Sequence, residues 1–335
     1  MNISDVIKKL SDIGGVSGCE QPAADAVTGY LEKYNCEIRR ENGGVIAVFN
    51  KGQHPRTVID AHIDRIGFTV TDITDDGFLK FSAVGGIDGR ILPARHVIIN
   101  GKETLKGVIC SVPPHLKNGD DTVSEISDMY IDPRLSPEEA KELVSPGDTV
   151  YFDVSAKNML GTRMTGAALD NRCGAAAVLF ALENTDIASL RGELDIVFAY
   201  QEEIGMRGAA TASYISDCDT AIAVDVSFAL SKGEKEERCG ILGKGCMIGF
   251  APSLDRKLSK KLVDIAKKNN IPYQIEAMDG TTGTDADRYG ISRGGAKTAT
   301  LSVPLRYMHT PAEVIDVNDV ENTGRLIAAF IGEEC

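Results

Sequence analysis

The run ELDIVFAYQEEIGMRGA holds the densest chemistry in this sequence. An apolar, strand-like stretch from Leu194 to Tyr200 ends in Gln201-Glu202-Glu203, with Gly205 shortly after. Adjacent carboxylates repel each other and are costly unless a cation or another partner offsets them. Neighbouring extended residues point to opposite sides, so Glu202 and Glu203 are expected to have different jobs, one facing a metal and one facing its water. The same divergence weakens a glycosidase reading, which needs two carboxyls facing each other across a sugar.

Other strand ends repeat the device. VIDAHIDRIGF puts His62 at the end of an apolar run with Asp64 on the same face. A carboxylate there can take the second imidazole N–H and fix the tautomer of a metal ligand. Taken alone, a polar pair at a strand end is the plainer account. GAALDNRCGAAAVL sets Asp170 and Asn171 just before an apolar helix, where capping competes with a bridging carboxylate as the reason for them. Asp225 closes the buried run of TAIAVDVSF, and His309 follows Thr298–Val303 in PLRYMHTPAE. The other histidines, His54 in the turn KGQHPR, His96 in a strand and His115 after Pro113-Pro114, read as ordinary polar positions.

The set is then His62, Asp170, Glu203, Asp225 and His309. Two imidazoles and three carboxylates without a cysteine suit Zn²⁺, Co²⁺ or Mn²⁺. Five ligands with one shared carboxylate point to a dinuclear centre, in which metals ~3.5–4 Å apart clamp a water and lower its pKa.

The elements that must position these residues alternate between helix and strand. A first helix with Val6, Ile7, Leu10 and Ile13 at helical spacing is capped by Ser4, and a second begins at Gln21-Pro22. Strands follow at Cys36–Arg40, Val45–Asn50 and Thr57–Ala61. From Gly67 the pattern turns to short β-rich runs: Phe68–Ile73, Phe78–Ser82, His96–Asn100, Leu105–Ser111 and Thr149–Val154. One helix interrupts them, Pro137–Val144, with Ser136 and Glu139 set for a capping box. After Gly161 the alternation returns: helices Gly174–Leu182, Ala209–Ile215, Leu254–Asn269 and Val317–Ile331, strands Glu193–Tyr200, Ala221–Asp225, Pro272–Glu276 and Thr298–Val303. Candidate ligands come from both sides of the β-rich stretch. The economical architecture is one α/β domain, residues 1–66 and 161–335, interrupted by a β-rich insertion over 67–160.

With 36 basic and 49 acidic residues the net charge is −13, which disfavours nucleic acid as a partner. The longest apolar run, Ala175 to Leu182, is far short of the ~20 residues of a membrane helix. The opening MNISDVIKKLSDIGGVSG reads as a helix and not as a signal peptide. Eight scattered cysteines with no CxxC argue against a zinc ribbon or a disulfide scaffold, and free thiols predict the cytoplasm.

In this order, HIDRIGF, GAALDNRCG, QEEIGMRGA, AVDVS, GTDAD and PLRYMHTPAEVID resemble metallopeptidase family 42, the tetrahedral dinuclear aminopeptidases of glutamyl or deblocking type. The resemblance spans essentially the whole chain. It implies a mixed-sheet, zinc-exopeptidase-type catalytic domain with an inserted barrel-like domain that helps oligomerisation. It implies that Asp170 bridges two divalent ions, Zn²⁺ or Co²⁺ with Mn²⁺ also suited. His62 and Asp225 would complete one ion, and Glu203 and His309 the other. Glu202 would be the general base and acid, and Asp64 would orient His62. The implied substrates are short peptides with free N-termini, and the implied assembly is a homododecamer built from dimers. Arg65 departs from the family, which more often has an acidic residue there; either Arg65 or Arg293 would favour acidic N-terminal residues if it lined the pocket. The rivals are a deacylase or carboxypeptidase on a similar scaffold and a metal-stabilised assembly protein that has lost catalysis. A glycan hydrolase lacks an evident aromatic platform, with no tryptophan and 6% aromatic residues.

Overall fold

The computed structural model describes residues 1–112 and 125–335, so that His115 lies outside the described residues. The chain opens with helices α1 (Ile3–Asp12) and α2 (Gln21–Leu31), then strands β1 (Glu37–Glu41), β2 (Gly44–Phe49) and β3 (Arg56–His62). A β-rich stretch follows: β4 (Gly67–Ile73), β5 (Leu79–Val84), β6 (His96–Asn100), β7 (Thr104–Ile109), β8 (Tyr130–Asp132), helix α3 (Pro137–Leu143) and β9 (Thr149–Phe152). Strands β10 (Lys157–Asn158) and β11 (Arg163–Gly166) lead to α4 (Leu169–Glu183), β12 (Glu193–Ala199), α5 (Arg207–Ser216) and β13 (Thr220–Phe228). The last part holds β14 (Cys246–Phe250), α6 (Arg256–Lys268), β15 (Tyr273–Ala277), α7 (Ala286–Tyr289), β16 (Lys297–Arg306), β17 (Glu313–Asp316) and α8 (Val317–Glu334).

Eleven strands form one mixed sheet in the order β1-β2-β12-β3-β13-β16-β17-β11-β10, with β14 joined to β16 and β15 to β14. Its centre, β12-β3-β13-β16, is parallel throughout, so four strands end on the same edge. Strands covered by helices on both faces must be apolar at nearly every position. Every residue of β12 is buried, and so is β3 beyond Arg56. On one face lies α4, whose Ala175, Ala176 and Ala177 are all buried. It packs against α8 at Gly324, where a Cβ would stand 2.7 Å from the Ala177 carbonyl oxygen. Only glycine permits that approach, which fixes the helix carrying Asp170.

The β-rich stretch closes on itself as a six-stranded barrel, β4-β5-β8-β7-β6-β9. It has its own core, in which Phe68 meets Phe81 and Phe152 edge-to-face at 5.1 and 5.5 Å. The Ser136–Glu139 capping box forms as the sequence predicts.

Local differences from the sequence reading have simple causes. Asn2 caps α1 in place of Ser4, its side-chain oxygen accepting from the Ser4 amide at 3.1 Å, since asparagine serves equally well as a cap two residues earlier. Neither Asp170 nor Asn171 caps α4: the cap is Ala168 in the left-handed region, and both residues lie inside the first turn with non-helical dihedrals. Strands β8, β10, β11, β14 and β17 and the short α7 are additional to the elements read from the sequence. His54 and His96 are both exposed, and all eight cysteines are unpaired. Among the described residues no helix is long and apolar enough to cross a membrane.

Candidate active site

Parallel β3 and β12 run in register with His62 opposite Ala199, so the chain beyond both strands emerges at one place. Gln201, in the left-handed region (φ 53°), turns the chain as it leaves the sheet. Asp64 then holds the turn. Its Oδ1 accepts from the Glu202 amide at 3.0 Å, and its Oδ2 from the Glu203 amide at 3.1 Å and the Ser17 hydroxyl at 2.7 Å. Asp64 Oδ1 also lies 3.3 Å from His62 Nδ1. One fully buried carboxylate thus aligns an imidazole and the two-glutamate turn together.

The imidazole Nε2 of His62 stands 3.3 Å from Asp170 Oδ1 and 3.6 Å from Asp225 Oδ1. On the far side of Asp170, its Oδ2 is 3.4 Å from His309 Nε2, which is also 3.3 Å from Glu203 Oε2. Each oxygen of Asp170 therefore faces a different histidine. Ligand atoms of His62, Asp170 and Asp225, and of Asp170, Glu203 and His309, fall within 4.8 Å of one another. Glu202 Oε2 lies 4.0 Å from His62 Nε2, at the side of this cluster. All the sequence-derived candidates come together.

His309 sits in the loop between β16 and β17 with φ 60°. Its Nδ1 is 2.8 Å from the carbonyl oxygen of Gly86, in the loop after β5, so the barrel segment helps to orient it. A proton on Nδ1 directed at that carbonyl leaves the Nε2 lone pair facing Asp170 and Glu203.

Glu313 was not a candidate from the sequence. It is buried and accepts three main-chain N–H groups: Leu169 at 2.7 Å, Asp170 at 3.3 Å and His309 at 3.1 Å. It ties the start of α4 to the His309 loop. Its only signal in the sequence is a carboxylate four residues after His309 in PLRYMHTPAEVID.

The electrostatics favour a cation. Burial, together with the charge of Asp170, pushes Glu203 well above the ordinary carboxylate range. Burial likewise raises Asp225, and it raises Glu202 to about 8, helped by the charges of Asp225 and Asp170. Burial works against charge on His309, yet Asp170 and Glu203 bring it to about 9. His62 is raised well above its usual value by Asp170, Asp225 and Asp64 against the same opposition. Burial opposes ionisation of Asp170 too, but hydrogen bonds from His309 and His62 hold it below the usual range. The raised values mark a local excess of negative charge that divalent cations would offset. Glu203 Oε1 and His62 Nδ1 are buried without an aligned hydrogen-bond partner, the 3.3 Å contact to Asp64 notwithstanding. The donor set, with its orphaned carboxylate oxygen and its carboxylate excess, fits two borderline divalent ions.

A cavity of about 420 Å³ opens onto His62, Asp170, Glu202, Glu203, Asp225 and His309. Neither arginine considered from the sequence reaches it. Arg65 is buried, its Nη1 donating to the Ser11 carbonyl at 3.3 Å and its guanidinium 4.9 Å from the Tyr151 ring. Arg293 lines a different cavity and stacks 4.1 Å from Tyr214.

A mixed sheet with carboxylates and imidazoles gathered at its parallel edge, and a closed barrel spliced into the chain, is the build of a hydrolase of the peptidase class. The family model for M42 glutamyl aminopeptidase matches residues 43–326, and the chain belongs to that family. It is 35% identical to a putative aminopeptidase of Acetivibrio thermocellus, with 98% of each chain covered. It is 34% identical to a lysyl aminopeptidase of Pyrococcus furiosus, over 98% of this chain and 96% of that one. The Pyrococcus horikoshii TET1 peptidase, which can assemble into a tetrahedron or a large octahedral shell, superposes with a TM-score of 0.88. It shares 34% identity, over 99% of this chain and all of the other. The protein is an aminopeptidase, a hydrolase of peptides.

Proposed function

We propose that this protein is a dinuclear metallo-aminopeptidase that releases single N-terminal residues from short peptides with a free α-amine. The observation that carries the reading is Asp170, whose two carboxylate oxygens face separate imidazoles, each with a further carboxylate beside it. Asp170 would be shared by two ions, with His62 and Asp225 holding one and Glu203 and His309 the other. Zn²⁺ and Co²⁺ suit this donor set, and Mn²⁺ is accommodated by the same atoms. When bound, such ions lower the pKa of water and polarise the scissile carbonyl.

The protein's own residues do the remainder. Asp64 fixes the orientation of His62 and presents the Glu202-Glu203 turn. Glu313 holds the segments bearing Asp170 and His309 in register. Glu202 takes a proton from the attacking water and passes it to the leaving amine nitrogen as the C–N bond breaks. Burial raises its carboxyl above the ordinary carboxylate range, the direction that lets one group both take and return a proton.

Residues 1–66 and 161–335 would form the catalytic unit and 67–160 an insertion serving assembly, with Lys157–Asn158 crossing back into the large sheet. The separate barrel core supports that division, and the shells formed by the Pyrococcus horikoshii relative support a homo-oligomer, a dodecamer assembled from dimers. Unpaired cysteines fit the cytoplasm. The test compares free and acetylated leucyl peptides with protein stripped of metal and then given Zn²⁺ or Co²⁺, while bound metal is counted. The reading expects cleavage of the free peptide only, restored by two equivalents per chain. Cleavage of the acetylated peptide would point to the deacylase, and silence with metal bound to the non-catalytic assembly.

A further inference from the structure

The described lining of the cavity that holds the carboxylate–imidazole cluster offers no basic side chain to an acidic one. Among the described residues that line it, none is lysine or arginine. Its two imidazoles are taken up by Asp170, Asp225 and Glu203. Arg288 reaches the back of the wall, where its Nη2 donates to the Gly205 carbonyl at 3.0 Å, and is not part of the lining. The rest of the wall includes Met206, Val226, Phe228 and Met308 with Thr282 and Thr284. Phe228, at the end of β13, is 57% exposed, an aromatic surface uncovered by the subunit. The threonine side is rigid: the two hydroxyls pair at 2.9 Å, and Asp287 accepts the amides of Thr282 and Gly283 at 3.0 Å.

The geometry points to an uncharged, apolar N-terminal residue as the preferred substrate. This rests on the aminopeptidase reading above and goes against the acidic preference in the family's description. A glutamyl side chain directed along the wall away from the metal positions sheds water and meets no lysine or arginine of the described lining, which is the costly way to bury a charge. A lysyl side chain finds Asp170, Glu203 and Asp225 committed to the metal positions and Glu202 to proton transfer. A leucyl side chain covers the apolar wall and leaves no polar group unpaired.

The experiment measures kcat/KM for matched leucyl, glutamyl and lysyl peptides with free amines, using the full chain restored with Zn²⁺. Calorimetry runs beside it with free leucine, glutamate and lysine as probes. Leucine should exceed glutamate by at least about a hundredfold and lysine by about tenfold in kcat/KM, with the same order in binding. Glutamate or lysine matching leucine would overturn the inference while leaving the aminopeptidase reading intact. Silence toward all three peptides would overturn the aminopeptidase reading instead, and calorimetry would still decide the preference: leucine over glutamate upholds it, the reverse sinks it. Phe228→Arg should raise the glutamate-to-leucine ratio at least about tenfold, and Thr282→Lys makes the same test should that variant fail to fold. A ratio unmoved in a folded variant would mean that this wall does not meet the N-terminal side chain.

Discussion

The two edges of the parallel strands offer cavities of nearly equal size, about 420 Å³ at the C-terminal edge and about 430 Å³ at the N-terminal edge. Both are lined with carboxylates. At the N-terminal edge Asp217 lies between two cations, 3.8 Å from Arg56 and 3.6 Å from Arg293, and Asp219 accepts the main-chain N–H of Arg56 at 2.9 Å with His54 Nδ1 4.0 Å away. Lys297, the first residue of β16, lines the same space. At the C-terminal edge Asp170, Glu202, Glu203 and Asp225 converge with two histidines and, among the described residues, no lysine or arginine in the lining. Volume does not distinguish the edges. Uncompensated charge does, because a fold retains buried carboxylates in such excess only where something else supplies the positive charge.

The comparison breaks most sharply at Glu202. Glu202→Gln should lower kcat by about a thousandfold with metal content unchanged, since proton transfer by a positioned side chain is worth ~10²–10⁴. Near-normal turnover in that variant would remove Glu202 as the base.

A second, smaller effect follows from the protons on the metal-free cluster. Glu202 at about 8 and His309 at about 9 both lie above their usual values, so the folded chain holds protons that the unfolded chain releases. That stability is complete below the ordinary carboxylate range and falls as pH climbs through the ordinary imidazole range to about 9. Zn²⁺ at the site would displace the proton on His309 and, by its charge, weaken the hold of Glu202 on its own. The gain in Tm on adding Zn²⁺ should therefore be larger at about pH 8.5 than at about pH 6, by roughly 5 °C in scanning calorimetry. An increment independent of pH would mean that the metal does not compete with these groups.

The smallest effect belongs to the balanced edge. Arg293→Ala should leave kcat/KM and the glutamate-to-leucine ratio within about twofold, and stability within ~0.5 kcal/mol, as for most exposed positions. A large change in the ratio would connect the two edges and undo the contrast drawn between them.

How much of this was legible in the residues alone follows from range. His62 and the Glu202-Glu203 pair end apolar runs that read as buried strands, and a strand end is a local property; Asp225 reads the same way, yet β13 runs on to Phe228 because its last residues pair with β16. The barrel strands were legible from short β-rich runs between turns, and most boundaries fell within a residue or two. The tripeptide β8 and the four-residue β11 and β17 were not, because strands this short have too few residues for a period.

Family resemblance, residue types and their placement at strand ends were thus determined by the sequence itself. Tertiary structure alone decided the destinations of long side chains and the partners of distant ones. Arg65 and Arg293 carry the same chemistry on paper, yet one is buried against Tyr151 and the other stacks on Tyr214, and neither enters the cavity. Glu313 reads as one more acidic residue until the fold brings it to the amide of Asp170, 143 residues away in the chain. Local periodicity records which face of an element is buried; which groups then meet across the core depends on packing that no short window of sequence contains.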